Sequence, residues 1–191
     1  GLIRPATPGT ARLDTPAGPV TADYTMEGEH VASVRLTNVP AFLAARDLEI
    51  DCPELGRITF DVAYGGNFYA IIEPQENFPG VGAIDVDRLV AISPALRIAL
   101  NEAYEMVHPE DGRIRGITHI QWTGPATQPG ADARNAVFYG DKAIDRSPGG
   151  TGTSARMAQL HGKGRLKVDE RYRNESLIGT IYQGMVESEV D

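Results

Sequence analysis

A glycine-rich turn that runs straight into a helical pattern constrains this chain more than any other feature. Residues 145–154 read Asp-Arg-Ser-Pro-Gly-Gly-Thr-Gly-Thr-Ser, and small apolar residues follow as far as Leu160. The first N–H groups of a helix lack intrahelical acceptors, and the helix dipole adds partial positive charge there. We therefore predict an anion site at the start of a buried helix over about 152–161. The N–H groups predicted to be free are those of Gly150, Thr151, Gly152 and Thr153.

This turn suits a small carboxylate or a phosphate, but it carries no reactive side chain. It lacks the Lys-Ser/Thr pair of a Walker loop and the glycine spacing of a Rossmann motif. Asp145 lies in the same loop, where its carboxylate could accept a hydrogen bond from a bound ammonium group. An acid beside an anion site matches a zwitterionic amino acid, whereas a simple tight connection with a threonine cap is the alternative explanation.

Charge and cysteine content exclude several function classes. The net charge is −8, from 26 acidic and 18 basic residues without a basic cluster, which argues against nucleic acid and membrane surfaces as partners. Cys52 is the single cysteine and the four histidines are scattered, so we predict no disulfide, no metal site and no cofactor. No apolar run reaches membrane-spanning length and the start lacks a signal-peptide layout, which predicts a cytoplasmic protein.

Strand and helix patterns do not alternate regularly, which favours a mixed α+β fold over a parallel sheet. One helix is predicted over 85–92, and a second begins at Ser93 as N-cap with Pro94 in its first turn and runs to about Val107. The paired glycines at 65 and 66 predict a bulge or a close backbone approach. The strand patterns cover 20–24, 30–37, 57–62, 64–72, 114–123, 135–139, 176–182 and 185–190.

The remaining candidate side chains have ordinary structural explanations. His119 lies in a strand pattern, and Trp122 and Tyr139 are interpreted as core residues. Cys52 lies between Asp51 and Glu54, and nearby acids raise a thiol pKa, so Cys52 is predicted to be structural. The spacing reveals no Ser/His/Asp arrangement.

Taken together, several segments resemble the proline racemase family, most closely its 4-hydroxyproline 2-epimerase members. The matching segments are 13–18, 34–42, 61–70, 133–140 and 145–160. Segment 145–160 is highly specific to the family.

The resemblance implies one lobe of the two-lobed fold of diaminopimelate epimerase, a curled, mostly antiparallel sheet around a central helix. In that family two cysteines face each other across the substrate. One removes the α-proton and the other returns a proton to the opposite face, without a cofactor. Paired helix N-termini would bind the carboxylate and lower the thiol pKa values.

This chain departs from the family pattern at the reacting groups. The second catalytic cysteine should lie at the position that Gly149 occupies, and the Cys-Gly-His segment that carries the other one is absent. Carried over position by position, Asp145, Gly150 and Thr151 match substrate-binding residues. Tyr139 matches a wall of the site, and His119 matches less closely.

These observations predict that residues 1–191 are a single domain, the second lobe of an enzyme that interconverts trans-4-hydroxy-L-proline and cis-4-hydroxy-D-proline. The chain itself is expected to be a fragment, to be catalytically inactive and to self-associate through an exposed cleft face. Its ligand would be the carboxylate of proline or hydroxyproline. Two alternatives are a non-catalytic carboxylate-binding module and a branch similar to 3-hydroxyproline dehydratase.

Overall fold

A computed structural model of the protein describes residues 7–140 and 143–190. The chain divides into two compact units, Gly1–Pro40 and Ala41–Asp191. Within the described residues, neither helix is long and apolar enough to cross a bilayer.

The first unit is a three-stranded antiparallel sheet in the order β1-β2-β3. Its strands are β1 (Thr10–Thr15), β2 (Gly18–Glu27) and β3 (His30–Thr37). Because side chains alternate across each strand, one face is polar and the other, which we call the apolar face, carries Leu13, Val34 and Leu36. These three side chains are 40%, 56% and 53% exposed, whereas Ala22, which pairs with Leu36 on the same face, is buried.

The second unit is an eight-stranded sheet with two helices. The strand order is β11-β10-β8-β7-β6-β5-β4, with β9 paired to β8. Only the β6–β7 and β8–β10 pairs are parallel, so the sheet is mostly antiparallel. The strands are β4 (Phe42–Cys52), β5 (Gly56–Tyr64), β6 (Phe68–Ile72), β7 (Ile117–Gly124), β8 (Ala133–Gly140), β9 (Ala143–Asp145), β10 (Arg171–Glu175) and β11 (Ile181–Met185), and the helices are α1 (Val86–Ala103) and α2 (Gly150–Gly162).

The two helices pack on opposite faces of this sheet. Trp122 points to α1, where its Nε1 donates to Ser93 Oγ at 3.0 Å, whereas Tyr69 and Val137 share a buried cluster with Ala155 of α2. Helix α2 contacts β4 and β5 at one end of the strand order and β11 at the other. The sheet therefore curls around α2, as the resemblance implies.

Helix α2 is buried, as the sequence predicts, since none of the residues from 151 to 160 is exposed. The predicted strand 30–37 coincides with β3, and the pattern at 64–72 ends in the fully buried strand β6. The predicted core position of Trp122 is confirmed, because its side chain is completely buried.

The prediction of two helices over 85–92 and 93–107 is wrong, because α1 is continuous and ends at Ala103. Ser93 does not cap a helix: its hydroxyl donates to Leu89 O at 2.6 Å and accepts from the Trp122 ring. The helix tolerates Pro94 because packing against the sheet outweighs one missing backbone hydrogen bond. At its end Tyr104 is extended, with φ −134°.

The two strands predicted at 176–182 and 185–190 are also misplaced. Residues 176–180 form the turn between β10 and β11, where Ser176 N donates to Thr180 O at 2.8 Å and Gly179 has φ +81°. The strand before that turn, β10, was missed because it is rich in charged and polar residues. Polar residues are expected on the exposed side of a strand, but Asn174 and Glu175 of β10 are completely buried.

Candidate active site

The candidate site begins with a loop that positions its own backbone. Asp145 Oδ1 accepts from Ser147 N at 2.8 Å, and Ser147 Oγ accepts from Gly149 N at 3.2 Å. Gly149 is the N-cap of α2 with φ +73°, a left-handed conformation that glycine adopts without steric cost. No side chain caps the helix, so its first N–H groups receive no side-chain acceptor.

Three N–H groups at the start of α2 are open. Thr153 N donates to Gly149 O at 2.9 Å, so the prediction of a free N–H at Thr153 is wrong: the N-cap carbonyl already accepts the first helical bond. The N–H groups of Gly150, Thr151 and Gly152 have no acceptor in residues 7–140 and 143–190. Because the first turn also contains no acid, this helix end remains electropositive.

A row of aromatic rings extends from this helix end across the sheet. Tyr69 OH and Thr151 Oγ1 are 2.6 Å apart, and the Tyr69 ring lies 4.7 Å from His119 between centroids. His119 in turn lies 6.5 Å from Tyr139, with the two rings nearly parallel. The structure therefore gathers His119 and Tyr139 on the same side of the sheet as the first turn of α2.

Burial keeps two of these rings neutral. It raises the pKa of Tyr69 to about 12, so Tyr69 stays a phenol. Burial, together with the charge of Arg97, lowers the pKa of His119 to about 4, so His119 is uncharged at pH 7. The carboxylate of Asp145 acts electrostatically on both rings. Asp145, in the loop before α2, is thus the acidic group that faces these neutral rings.

Position 149 has room for a side chain that glycine does not supply. A Cβ built on Gly149 would meet only Asp145 Oδ2, at 3.6 Å. The structure thus places Asp145 beside Gly149, next to Gly150 and Thr151 in the first turn of α2. That these residues bind a substrate stays a prediction.

The sequence predicts that Tyr139 is a core residue and that Cys52 is structural, and the structure bears on both predictions. The interpretation of Tyr139 as a core residue is wrong, because its side chain is 51% exposed at the end of β8. The structural interpretation of Cys52 is confirmed: burial and the charge of Glu54 raise its pKa to about 12, which leaves no thiolate at neutral pH. Residues 7–140 and 143–190 contain no group of three metal-ligating side chains.

Sequence reasoning missed three residues that shape the site. Tyr69 holds Thr151 although 82 positions separate them, and Asn135 and Asn174 both donate to the carbonyl of Pro148, at 3.1 and 3.2 Å. The one sequence feature that pointed to the contact between Tyr69 and α2 was the glycine pair at 65 and 66, before β6. A Cβ on Gly65 would lie 2.3 Å from Thr151 O, which confirms the predicted close backbone approach.

A family model described as proline racemase matches residues 1–191. The chain is 58% identical over 187 residues to the 4-hydroxyproline epimerase of Brucella ovis and to the 4-hydroxyproline 2-epimerase of Brucella suis biovar 1. Each match covers 98% of this chain and 56% of the relative, so the chain spans just over half the length of these curated relatives.

Two solved structures share the fold. A probable proline racemase from Agrobacterium radiobacter K84, with bound carbonate, matches with a TM-score of 0.85 and 31% identity over 98% of this chain and 55% of that one. A hydroxyproline epimerase from Agrobacterium vitis, with bound trans-4-hydroxy-L-proline, matches with a TM-score of 0.81 and 31% identity over 95% and 53%. From its sequence and its fold alike, the chain belongs to the proline racemase family.

Proposed function

We propose that this chain provides the carboxylate-binding half of an amino-acid epimerase site that acts on 4-hydroxyproline. The observation that carries the proposal is the set of open N–H groups at Gly150, Thr151 and Gly152 beside the carboxylate of Asp145. Such a helix end binds a carboxylate and stabilises negative charge that develops next to it. The related structures with bound carbonate and trans-4-hydroxy-L-proline support a ligand of this class.

We propose further that residues 1–191 are one domain, the second lobe of a longer enzyme. The enzyme reaction would exchange the Cα proton: a thiolate takes it from one face and becomes a thiol, and a thiol on the other face gives its own proton to the resulting carbanion and becomes a thiolate. Gly149 can take neither role, so this chain should not turn over trans-4-hydroxy-L-proline. Loss of an essential acid or base removes about 10²- to 10⁴-fold in rate. Polarimetry with measurable turnover would contradict this.

Binding can be tested at a single N–H group. Gly150→Pro deletes one open N–H at the first helical position, where proline is well tolerated, and the ψ of 121° at Gly149 suits a following proline. We expect this variant to bind pyrrole-2-carboxylate about tenfold more weakly than the parent chain. Calorimetry measures the affinity.

Gly150→Ala is the matched control for this experiment. It adds a Cβ that meets nothing within 4 Å but keeps the N–H group, so binding should be unchanged. Equal affinities for the proline and alanine variants would show that the carboxylate does not bind at this helix end.

A second candidate is a binding module without chemistry, which the glycine at position 149 favours. Binding of proline or hydroxyproline without turnover in the full-length protein would support this module. Loss of water from 3-hydroxyproline, detected as formation of a pyrroline carboxylate, would instead support the dehydratase-like branch, and it would count against both other functions.

We also propose that the isolated chain self-associates. The sequence suggests an exposed cleft face as the contact surface; the structure offers the apolar face of the first unit, where Leu13, Val34 and Leu36 are exposed together. Leu36→Lys should therefore shift the chain toward the monomer in light scattering. Thr37→Lys adds the same charge on the polar face of β3 and should not. A parent chain that is monomeric at all concentrations would overturn the proposal.

A further inference from the structure

The carbonyl of Pro148, one residue before the N-cap of α2, is the target of several buried side chains. Asn135 Nδ2 donates to it at 3.1 Å, Asn174 Nδ2 at 3.2 Å and Thr153 Oγ1 at 3.3 Å. Asn135 is 2% exposed and Asn174 is completely buried. The three donors come from β8, β10 and α2, so elements far apart in the sequence converge on one backbone oxygen.

The orientation of both amides follows from chemistry. A carbonyl oxygen only accepts hydrogen bonds, so each asparagine must turn its NH₂ group, and not its oxygen, toward Pro148. As a consequence, Oδ1 of Asn135 and Oδ1 of Asn174 are buried and have no donor among the described residues. An unpaired buried acceptor is unfavourable, and an apolar side chain of similar size would avoid that cost. Simple core packing therefore does not account for asparagine at these two positions.

Holding the Pro148 oxygen also orients the next residue. The peptide between Pro148 and Gly149 is planar, so a fixed C=O direction fixes the opposite direction of Gly149 N–H, which donates to Ser147 Oγ at 3.2 Å. Asn174 Nδ2 additionally lies 2.9 Å from Thr153 Oγ1, which links the same amide to the first turn of α2. The peptide held in this way leads directly into Gly149, whose φ is +73°.

We propose that Asn135 and Asn174 are positioning residues that hold residue 149 in its left-handed conformation and keep the open N–H groups of α2 directed at the ligand. The part of this inference that concerns the ligand rests on the proposed function. The part that concerns the peptide does not, because it predicts backbone protection in the chain without any ligand.

The double variant Asn135→Leu/Asn174→Leu separates positioning from packing. Leucine is close to asparagine in size, so a packing role predicts unchanged or higher stability once the unpaired oxygens are gone. A positioning role predicts that hydrogen exchange of the Gly149 and Thr153 amides, at the start of α2, becomes about tenfold faster while the amides of the sheet stay protected. Binding of pyrrole-2-carboxylate, followed by amide shifts at Gly150 to Gly152, should weaken as well.

Asn77→Leu is the matched control. The Asn77 amide also donates to two carbonyls, Leu55 O and Arg57 O, each at 2.7 Å, but it lies outside the loop. Its loss should leave exchange at Gly149 unchanged. If the double variant does not fold, the single variants are compared by the same exchange measurement.

The outcomes distinguish the two proposals. Unchanged exchange at Gly149 and Thr153 in the variants overturns the positioning role. Faster exchange in the variants, combined with a parent chain that does not bind the carboxylate, supports the positioning role and contradicts the proposed function. Faster exchange with weakened binding supports both.

Discussion

The two helices of the second unit begin in opposite ways. Helix α1 starts at Asp85, whose carboxylate accepts from Asp87 N at 3.0 Å, and Asp87 adds a second acid to the first turn. Helix α2 starts at Gly149, with no side-chain cap and no acid in its first turn. Both helix ends have the same unsatisfied N–H groups and the same dipole. In α1 the side chain of Asp85 satisfies one of them, Asp87 N, whereas no side chain satisfies any of them in α2.

An open helix end needs support from elsewhere, and α2 receives it along its length. At its far end Lys163 Nζ lies 2.8 Å from Asp61, and in its middle Arg156 lies 2.9 Å from Glu73. Although burial alone would raise the pKa of Glu73, the charge of Arg156 and its hydrogen bonds lower that pKa overall. Contacts with the sheet therefore anchor α2 although its N-terminus has no side-chain cap.

The largest expected effect comes from Gly65, which lets the turn before β6 touch the first turn of α2. In Gly65→Ala the new Cβ would lie 2.3 Å from Thr151 O and 2.5 Å from Ala155 N, and backbone atoms cannot yield as a flexible side chain would. We expect the free energy of unfolding to fall by about 3 kcal/mol. Urea denaturation measures it.

Gly112→Ala is the control, because its Cβ would meet nothing within 4 Å. That variant should stay within about 0.5 kcal/mol of the parent chain. A Gly65→Ala variant as stable as the control would show that α2 does not depend on the close approach of this turn.

A second effect concerns His119, whose ring lies between Tyr69 and Tyr139, with Arg97 and Asp145 acting on its charge. The folded pKa of about 4 lies below the ordinary 6.5, so the unfolded chain binds the proton first as pH falls. Stability contributed by the neutral ring is therefore complete above pH 6.5 and is lost as pH falls toward 4. After allowance for partial exposure, the loss is about 2 kcal/mol.

His119→Gln should remove this part of the pH dependence, measured as the difference in urea stability between pH 7 and pH 4. Other acids contribute equally to both proteins and cancel in the comparison. His30→Gln, at an exposed position of the first unit, should keep the pH profile of the parent chain. Identical profiles for the parent and the His119 variant would show that the ring is not held neutral.

A third effect restores a thiol at the open helix end. In Gly149→Cys the left-handed φ of +73° should cost about 1 to 2 kcal/mol of stability, and Gly149→Ala should show the same cost. The helix end lowers the pKa of the new thiol, whereas Asp145 Oδ2, 3.6 Å from the Cβ position, raises it. We expect the helix end to dominate, with an alkylation midpoint below about 8.5.

Iodoacetamide labelling across pH checks this expectation, and Cys52 does not interfere because its pKa is about 12. A midpoint above that of a free thiol would mean that Asp145 outweighs the helix end. The contrast with α1, where Asp85 is the N-cap and Asp87 lies in the first turn, would then be smaller than the backbone geometry implies.

Local patterns in the sequence predicted the loop and helix at 145–162 well, because glycine content and small apolar residues act through neighbouring positions. The same holds for β3, whose bounds follow from alternation. The failures lie where distant groups decide: Pro94 indicates a helix start, yet packing of Ser93 against Trp122 keeps α1 continuous. Propensity cannot anticipate a contact across the sheet.

The candidate site divides in the same way. Asp145, Gly149, Gly150 and Thr151 form one segment and were identified together. Tyr69 and the two asparagines on Pro148 come from other strands, and their roles depend on register and curl of the sheet. Apart from the glycine pair before Tyr69, nothing in their own neighbourhoods distinguishes them from ordinary strand residues, so their roles emerge only in the folded chain.

The smallest expected effect tests the capped helix end. Asp85→Ala removes the acceptor for Asp87 N and makes the start of α1 resemble that of α2. We expect the free energy of unfolding to fall by about 1 kcal/mol. Asp85→Asn keeps an oxygen acceptor and loses only the charge, so its loss should be a few tenths of a kcal/mol, about the value of a charge at a helix end. Urea denaturation at low salt resolves the two. If Asp85→Ala costs no more than Asp85→Asn, the cap on α1 acts through charge alone, and the difference between the two helix ends is electrostatic and not one of hydrogen bonding.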